Sequence, residues 1–297
     1  MTAIGLDHPV IAVANLESAT LAYGGLLGRE PSWRGAHPAL GTENTLFRLG
    51  NSYVELLAAR GDGPLAPVLG EVLGDREERF FALALGAADV DAAVDRARAA
   101  GLQVTDPAPG AGSGNGGIER TWRSAFVDPA EVKGLRLFFI QHTSASELLP
   151  PARAAAEPGA TADAVDHVVV FCRDIDLSRD IWVRALGLRQ IWRREFPDRG
   201  TRNLGLDLGG VLLELIQRID RPAADRPDTL WGLAYGVGNC GKAVLHQRMA
   251  GLSVDEPRDG LAPGTRVATV RWRRTPTLFI EASASGSSDP GVAGLDP

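Results

Sequence analysis

Gly41-Thr-Glu-Asn-Thr-Leu-Phe-Arg-Leu-Gly-Asn-Ser-Tyr-Val-Glu-Leu-Leu57 returns later in the chain as Gly200-Thr-Arg-Asn-Leu-Gly-Leu-Asp-Leu-Gly-Gly-Val-Leu-Leu-Glu-Leu-Ile216. Gly41, Thr42, Asn44, Leu49, Gly50, Glu55 and Leu56 recur as Gly200, Thr201, Asn203, Leu208, Gly209, Glu214 and Leu215, each 159 residues on. The same interval carries Asp7-His8 onto Asp166-His167. A His and a Glu therefore keep their separation in both halves, and the chain is expected to be an internal duplication.

Outward from the repeat, Leu6–Ala14 reads as a strand and Asn15 as the cap of a helix that Gly28 ends. Strands follow at Asn44–Leu49 and Ser52–Ala58, joined by the two-residue turn Gly50-Asn51. From Arg79 the order repeats: strand Phe80–Leu85, helix Asp89–Ala100, then strands Leu102–Val104, Arg120–Val127 and Leu135–Gln141. Pro107–Gly117, rich in Gly, Pro and Ser, is expected to be a mobile loop. Modules at 3–60 and 79–142 would make a first domain, 1–143, followed by an Ala/Pro/Ser/Glu-rich linker, 144–163. A second domain, 164–284, restarts the programme with strand Val165–Phe171, helix Leu177–Leu186 and strands near Arg202–Leu208 and Val211–Gln217. Its last module matches the second one, with Phe139-Ile-Gln141 answered by Phe279-Ile-Glu281. Residues 285–297 are Gly/Ser/Asp-rich and expected to be a disordered tail.

Bulk properties narrow the function. A chain of 297 residues, 44% hydrophobic, can bury two ordinary cores, and no apolar run reaches membrane-span length. A net charge of −6 with scattered arginines argues against nucleic acid as a partner, because phosphate binding needs a basic stripe. Two cysteines, Cys172 and Cys240, are too few for a disulfide framework or a thiolate zinc site. The amino terminus enters a strand pattern without a signal-like segment, so the cytoplasm is the expected location, with a monomer or homodimer as the assembly.

Four strand–helix–strands modules in two pairs resemble the vicinal oxygen chelate superfamily. The run His37-Pro-Ala-Leu-Gly-Thr-Glu-Asn-Thr-Leu46, then Leu49-Gly50 and Tyr53-Val-Glu-Leu56, resembles its glyoxalase-like branch, as do the endings Leu137-Phe-Phe-Ile-Gln141 and Leu278-Phe-Ile-Glu281. The resemblance implies an α+β fold of four βαβββ modules, forming two domains whose curved mixed sheets make cups, with helices packed outside. It implies a small-molecule substrate and a divalent metal (Zn, Mn, Fe or Ni) held by His8 with Glu55, and by His167 with Glu214. It also implies lyase or isomerase chemistry, with two alternatives. One is a metal-free protein that sequesters an antibiotic or hydrophobic metabolite; the other is an extradiol-type ring-cleaving dioxygenase. The chain departs from the family pattern in the second module of each pair. Where a further His and a carboxylate are expected, it offers Phe81/Ala82 with Phe138, and Trp231/Gly232 with Leu278 or Phe279, Glu281 serving if the register differs. Each cup then presents two protein ligands.

Glu55 and Glu214 stand in otherwise apolar strands, where a carboxylate is costly unless paired, metal-bound or protonated, and both are candidate catalytic groups. His37 is the third, read as a loop residue present in one copy only, since Phe196 takes its place in the other. Asn44 and Asn203 could fix a turn or orient a polar substrate group. Trp122 and Trp231, with Trp33 and Trp192, could wall an aromatic ligand or serve as core. His142 is expected at a strand end and His246 on a surface helix face. Which domain is active stays open at this level.

Overall fold

The computed structural model describes residues 4–220, 226–272 and 274–282; the expected tail 285–297 lies outside them. The first module holds β1 (Gly5–Val13), α1 (Leu16–Leu27), β2 (Trp33–His37), β3 (Thr42–Arg48) and β4 (Tyr53–Ala59). After α2 (Leu65–Leu73) come β5 (Glu78–Gly86), α3 (Val90–Ala99), β6 (Ala108–Gly114), β7 (Glu119–Phe126) and β8 (Leu137–His142). The second half holds β9 (Ala162–Phe171), α4 (Ile175–Asp180), β10 (Arg189–Phe196), β11 (Thr201–Asp207) and β12 (Leu212–Arg218). It ends with β13 (Thr229–Val237), α5 (Cys240–Met249), β14 (Arg258–Asp259), β15 (Thr265–Val270) and β16 (Thr277–Ala282). The α+β architecture of two curved mixed sheets is as the repeat predicts.

Local chemistry explains the elements. Asn15 caps α1 by accepting from Ser18 N, and Gly28 closes it in the left-handed region at φ 62°. Asp89, Asp174 and Asn239 cap α3, α4 and α5 in the same way. Gly41 and Gly200 both sit at positive φ, 69° and 61°, where the chain turns into β3 and β11. That accounts for the repeated Gly-Thr. The matching strand ends also acquire a role: Gln141 accepts from Val90 N at 3.2 Å, and Glu281 accepts from Cys240 N at 2.7 Å. Glu281 is therefore the acceptor at a helix start, not the spare ligand considered for the second cup.

Each half is one cup made by its own two modules. β1 pairs antiparallel with β5, and β9 with β13. The second sheet runs β10-β11-β12-β9-β13-β16-β15-β14, and the first has the same order displaced by eight strands. One difference separates them: β2 pairs with β6 through Gly35↔Gly114 and Ala36↔Ser113, closing the first sheet into a barrel. The second stays open.

The closing strand, β6, is the segment expected to be a mobile loop. Its glycines are space, not flexibility. A Cβ on Gly110 would lie 2.4 Å from Trp122 Nε1, and one on Gly114 would lie 2.5 Å from the Trp33 ring. Bare backbone here lets both indoles lie flat against the barrel wall. Gly110→Val adds strand propensity, worth up to about 1 kcal/mol. The indole clash outweighs it, so a net loss of about 1–3 kcal/mol is expected in urea unfolding. A variant as stable as the parent would refute this role for the glycine.

Three further expectations change. His37 is the last residue of β2, buried, not part of a loop. Helix α2, which no pattern announced, packs Leu65, Leu69 and Leu73 on Val10, Ala12, Leu57 and Ala82 and plugs one end of the barrel. The two halves share a continuous core with the α1, α3 and α5 faces inside it. His246 belongs to that contact: Nε2 meets Gly25 O at 3.2 Å, while Gln247 Nε2 donates to Leu26 O. The segment expected as linker is tied down by backbone bonds, Ala152 N to Arg48 O and Ala155 N to Gly28 O, and β9 begins within it at Ala162.

Candidate functional site

β1 and β4 run parallel with Val10 opposite Glu55 and Ala12 opposite Leu57. Alternation along the pair turns His8, Val10, Tyr53, Glu55 and Leu57 into the barrel. Simple alternation would place Leu6 on that face too, but a register shift between Leu6 and His8 sends it to the shared core. The barrel encloses a cavity of about 1090 Å³.

At its floor His8 Nδ1 lies 2.6 Å from Asp7 Oδ1, and Nε2 lies 3.2 Å from Glu55 Oε2. Both ring nitrogens face carboxylates, so both carry protons and His8 is an imidazolium. Its ring stacks on Tyr53 at 4.2 Å. Asp7 also meets His142 Nε2 at 3.1 Å. Burial by itself would lower the His8 pKa, but the bonds to Asp7 and Glu55 carry it up to about 9. Burial likewise opposes ionisation of Glu55, and His8, His37 and Asn44 overcome it, holding the carboxyl below its usual range. Asp7 is lowered against the same burial penalty by His142 and His8.

Asn44 lies in mid-strand, where the turn reading no longer applies. Its amide donates to Glu55 Oε1 at 2.7 Å and approaches His37 Nε2 at 3.4 Å. An amide nitrogen is a donor, so His37 Nε2 is an acceptor. The ring proton then sits on Nδ1, 3.0 Å from Thr42 Oγ1. Burial lowers the His37 pKa; Glu55 opposes that, and His8 and Arg120 add to it. His37 is thus neutral at pH 7, one face against Trp122 at 5.6 Å.

Because the His8 pKa is raised, its contribution to stability is complete below about pH 6.5 and is lost as pH rises through about 9. The loss is on the order of 3 kcal/mol. The difference in unfolding free energy between wild type and His8→Gln should therefore shrink from pH 6 to pH 9.5. A constant difference would refute the charged pair.

In the second half the same four side chains meet in a different state. Asn203 Nδ2 donates to Glu214 Oε1 at 2.8 Å, and His167 Nδ1 lies 3.0 Å from Asp166. His167 Nε2 and Glu214 Oε2 stand 4.0 Å apart, neither hydrogen-bonded, and both side chains are 0% exposed. Burial raises the Glu214 pKa, and His167 and Asn203 offset it only in part. The concave face above is filled by Val169, Ile216, Ala234, Val267, Leu278 and Ile280. Leu278, not Phe279, is therefore the residue turned inward. Trp231 packs edge-on against Phe171 at 4.9 Å beside that cluster, whereas Trp122 and Trp33 wall the first cavity.

Opposite His8 and Glu55, the second module contributes Ala82 and Phe138 to the cavity wall. Among the described residues no group of three or more His, Cys, Asp or Glu side chains converges to hold a metal ion. Three protein ligands are the usual catalytic minimum. This donor set does not fit a resident ion.

Sequence reasoning missed Asp7 and Arg120 as parts of this site. The repeated Asp-His dipeptide was a signal for the first; an arginine opening a strand was a faint one for the last.

A duplicated βαβββ cup with His and Glu on adjacent first and fourth strands is the architecture of the vicinal oxygen chelate superfamily. Residues 6–162 match the family model described as Glyoxalase-like domain, and the chain belongs to that family. Residues 166–269 match the Glyoxalase/Bleomycin resistance protein/Dioxygenase superfamily. The chain is 30% identical over 106 residues to the uncharacterized protein YwkD of Bacillus subtilis (strain 168), covering 34% of this chain and 83% of that one. Its fold is similar to a 4-hydroxymandelate synthase mutant from Streptomyces coelicolor, at TM-score 0.66 and 17% identity over 100% of this chain and 98% of the other. It is also similar to the Mn(II)-bound glyoxalase of Novosphingobium aromaticivorans, at TM-score 0.63 and 14% identity over 99% and 87%. Among the described residues no helix is long and apolar enough to cross a membrane.

Proposed function

We propose that the first cup is the active site of an enzyme that moves a proton at a carbon next to an oxygen-bearing centre, in isomerase or lyase chemistry on a small organic molecule. The observation that carries this is Asn44, whose amide reaches both Glu55 and His37 and joins a charged pair to a neutral histidine facing an apolar cavity. His37 Nε2, unprotonated at neutral pH, rests its lone pair on the Asn44 amide at 3.4 Å and serves as the base once substrate displaces that long contact. The His8 imidazolium, bonded on both nitrogens to Asp7 and Glu55, holds Glu55 ionised, and that carboxylate fixes the Asn44 amide beside His37. Glu55 and Asn44 act as positioning groups. The second His167/Glu214 pair is a structural counterpart without access to substrate. No step is assigned to a metal, because His8 and Glu55 bond to each other and lack a third partner.

The apolar cavity by itself also suits a binding protein that sequesters its ligand. One assay separates the two readings. Wild-type protein is incubated in D₂O with a panel of enolisable 2-oxo acids and ketones, and NMR follows loss of the α-proton signal. Exchange that persists with EDTA present is the expected result. Ligand binding with no exchange across the panel would sink the enzyme reading, and exchange that requires added Zn²⁺, Mn²⁺, Fe²⁺ or Ni²⁺ would sink the metal-independent mechanism.

A further inference from the structure

Arg120, on β7, is 8% exposed and lines the first cavity. Its guanidinium carbon lies 5.7 Å from the centre of the Trp33 ring and 5.6 Å from that of Tyr53. Tyr53 in turn stacks on His8, so the arginine stands one ring away from the charged pair. Of the other arginines that line the cavity, Arg123 is engaged by Asp91, and Arg136 lies half-buried over the Phe81 ring at 5.2 Å, whereas Arg120 is the buried one. Arg120 has no carboxylate partner and no hydrogen-bond acceptor among the described residues. A guanidinium carries five N–H donors in a fixed fork, and ring faces satisfy none of them. A buried cation is costly without a counter-ion, and cation–π contact offsets only part of that cost. The positive charge is held in place by aromatic walls and left open toward the cavity.

We infer that Arg120 is the receptor for an anionic group of the ligand, and that the cup takes a monoanionic carboxylate with an apolar, aromatic body. One guanidinium fork matches the two oxygens of one carboxylate. Trp33, Trp122, Phe81 and Phe138 supply the walls for the body. A dianionic phosphate would need further cationic partners at this end of the cup. This inference rests on the reading of the cup as a small-molecule site, and it adds the substrate class.

The test compares 2-naphthoate with its neutral isostere 2-naphthamide, by calorimetry on the full chain. Wild type is expected to bind naphthoate at least about tenfold tighter. Arg120→Met should abolish that preference while leaving naphthamide affinity within about twofold. A wild type without preference, including one that binds neither probe, overturns the inference, as does a preference that survives in Arg120→Met. Should Arg120→Met fail to fold, Arg120→Lys keeps the charge without the fork. At least about a threefold loss of preference is then expected, and an unchanged preference overturns the inference. Binding is read without turnover. A protein that prefers naphthoate through Arg120 yet exchanges no α-proton would sink the proton-transfer reading and leave this one standing.

Discussion

His37→Gln should slow α-proton exchange by about 10²–10⁴-fold, the usual worth of a positioned general base, with little change in folding stability. The second half supplies the reason for expecting a folded variant: Phe196 ends β10 where His37 ends β2, so this strand end tolerates a side chain without an imidazole. Glu55→Gln should also slow exchange, by another route. Losing that carboxylate removes one of the two bonds that raise His8, so the His8 pKa should fall from about 9 in an NMR titration. His37→Gln should leave the His8 titration close to its wild-type position. Glu214→Gln, in the sealed copy, should alter neither rate nor titration. The wild-type rate should rise with pH through a value below 6.5, as His37 loses its proton, and fall through about 9, as His8 does. Equal exchange in wild type and His37→Gln would remove His37 as the base.

The largest stability effect is expected between the halves, at Glu78. This buried carboxylate accepts from Thr275 N at 2.6 Å, Tyr23 Oη at 3.1 Å and Arg274 Nη1 at 2.9 Å. Tyr23 stays a donor because burial, then the Glu78 charge, push its hydroxyl well above 10. Glu78→Ala leaves a largely buried guanidinium and two further donors without this acceptor. Among the described residues Arg274 keeps as carboxylate partner only the exposed Glu77, at 3.4 Å, so the cost is expected at the lower end of the about 3–5 kcal/mol for breaking a buried pair. Glu78→Gln keeps an acceptor and should recover part of the loss. The carboxylate ties β5 of the first sheet to the approach to β16 of the second. Urea unfolding of Glu78→Ala is therefore expected to separate into two transitions where wild type shows one. A single transition at the wild-type midpoint would show that the halves are joined elsewhere.

The resemblance to the superfamily implied that His and Glu stand on neighbouring strands, whereas the sequence by itself determined the duplication and the module order. Those features are written locally, in strand alternation, helix caps, the Gly-Thr turns and a repeat interval that survives unchanged. Asn44 and Asn203 were legible as candidates, although their bond to the glutamate could be read only once β3 and β4 were in register. What tertiary structure alone decided is which copy has a chamber. Closure depends on β2 meeting β6, strands far apart in the chain, and β6 is built of glycine, alanine, serine and one proline, which carry no strand pattern. The missing side chains of its glycines are the room that Trp33 and Trp122 occupy, so a feature that reads as a loop in one dimension is a wall in three. In the other copy β10 and β14 never meet, leucine, isoleucine and valine fill the concave face, and an identical His and Glu are shut away from solvent. The same residues at the same spacing differ in charge and access because burial and partners, which no spacing encodes, set both.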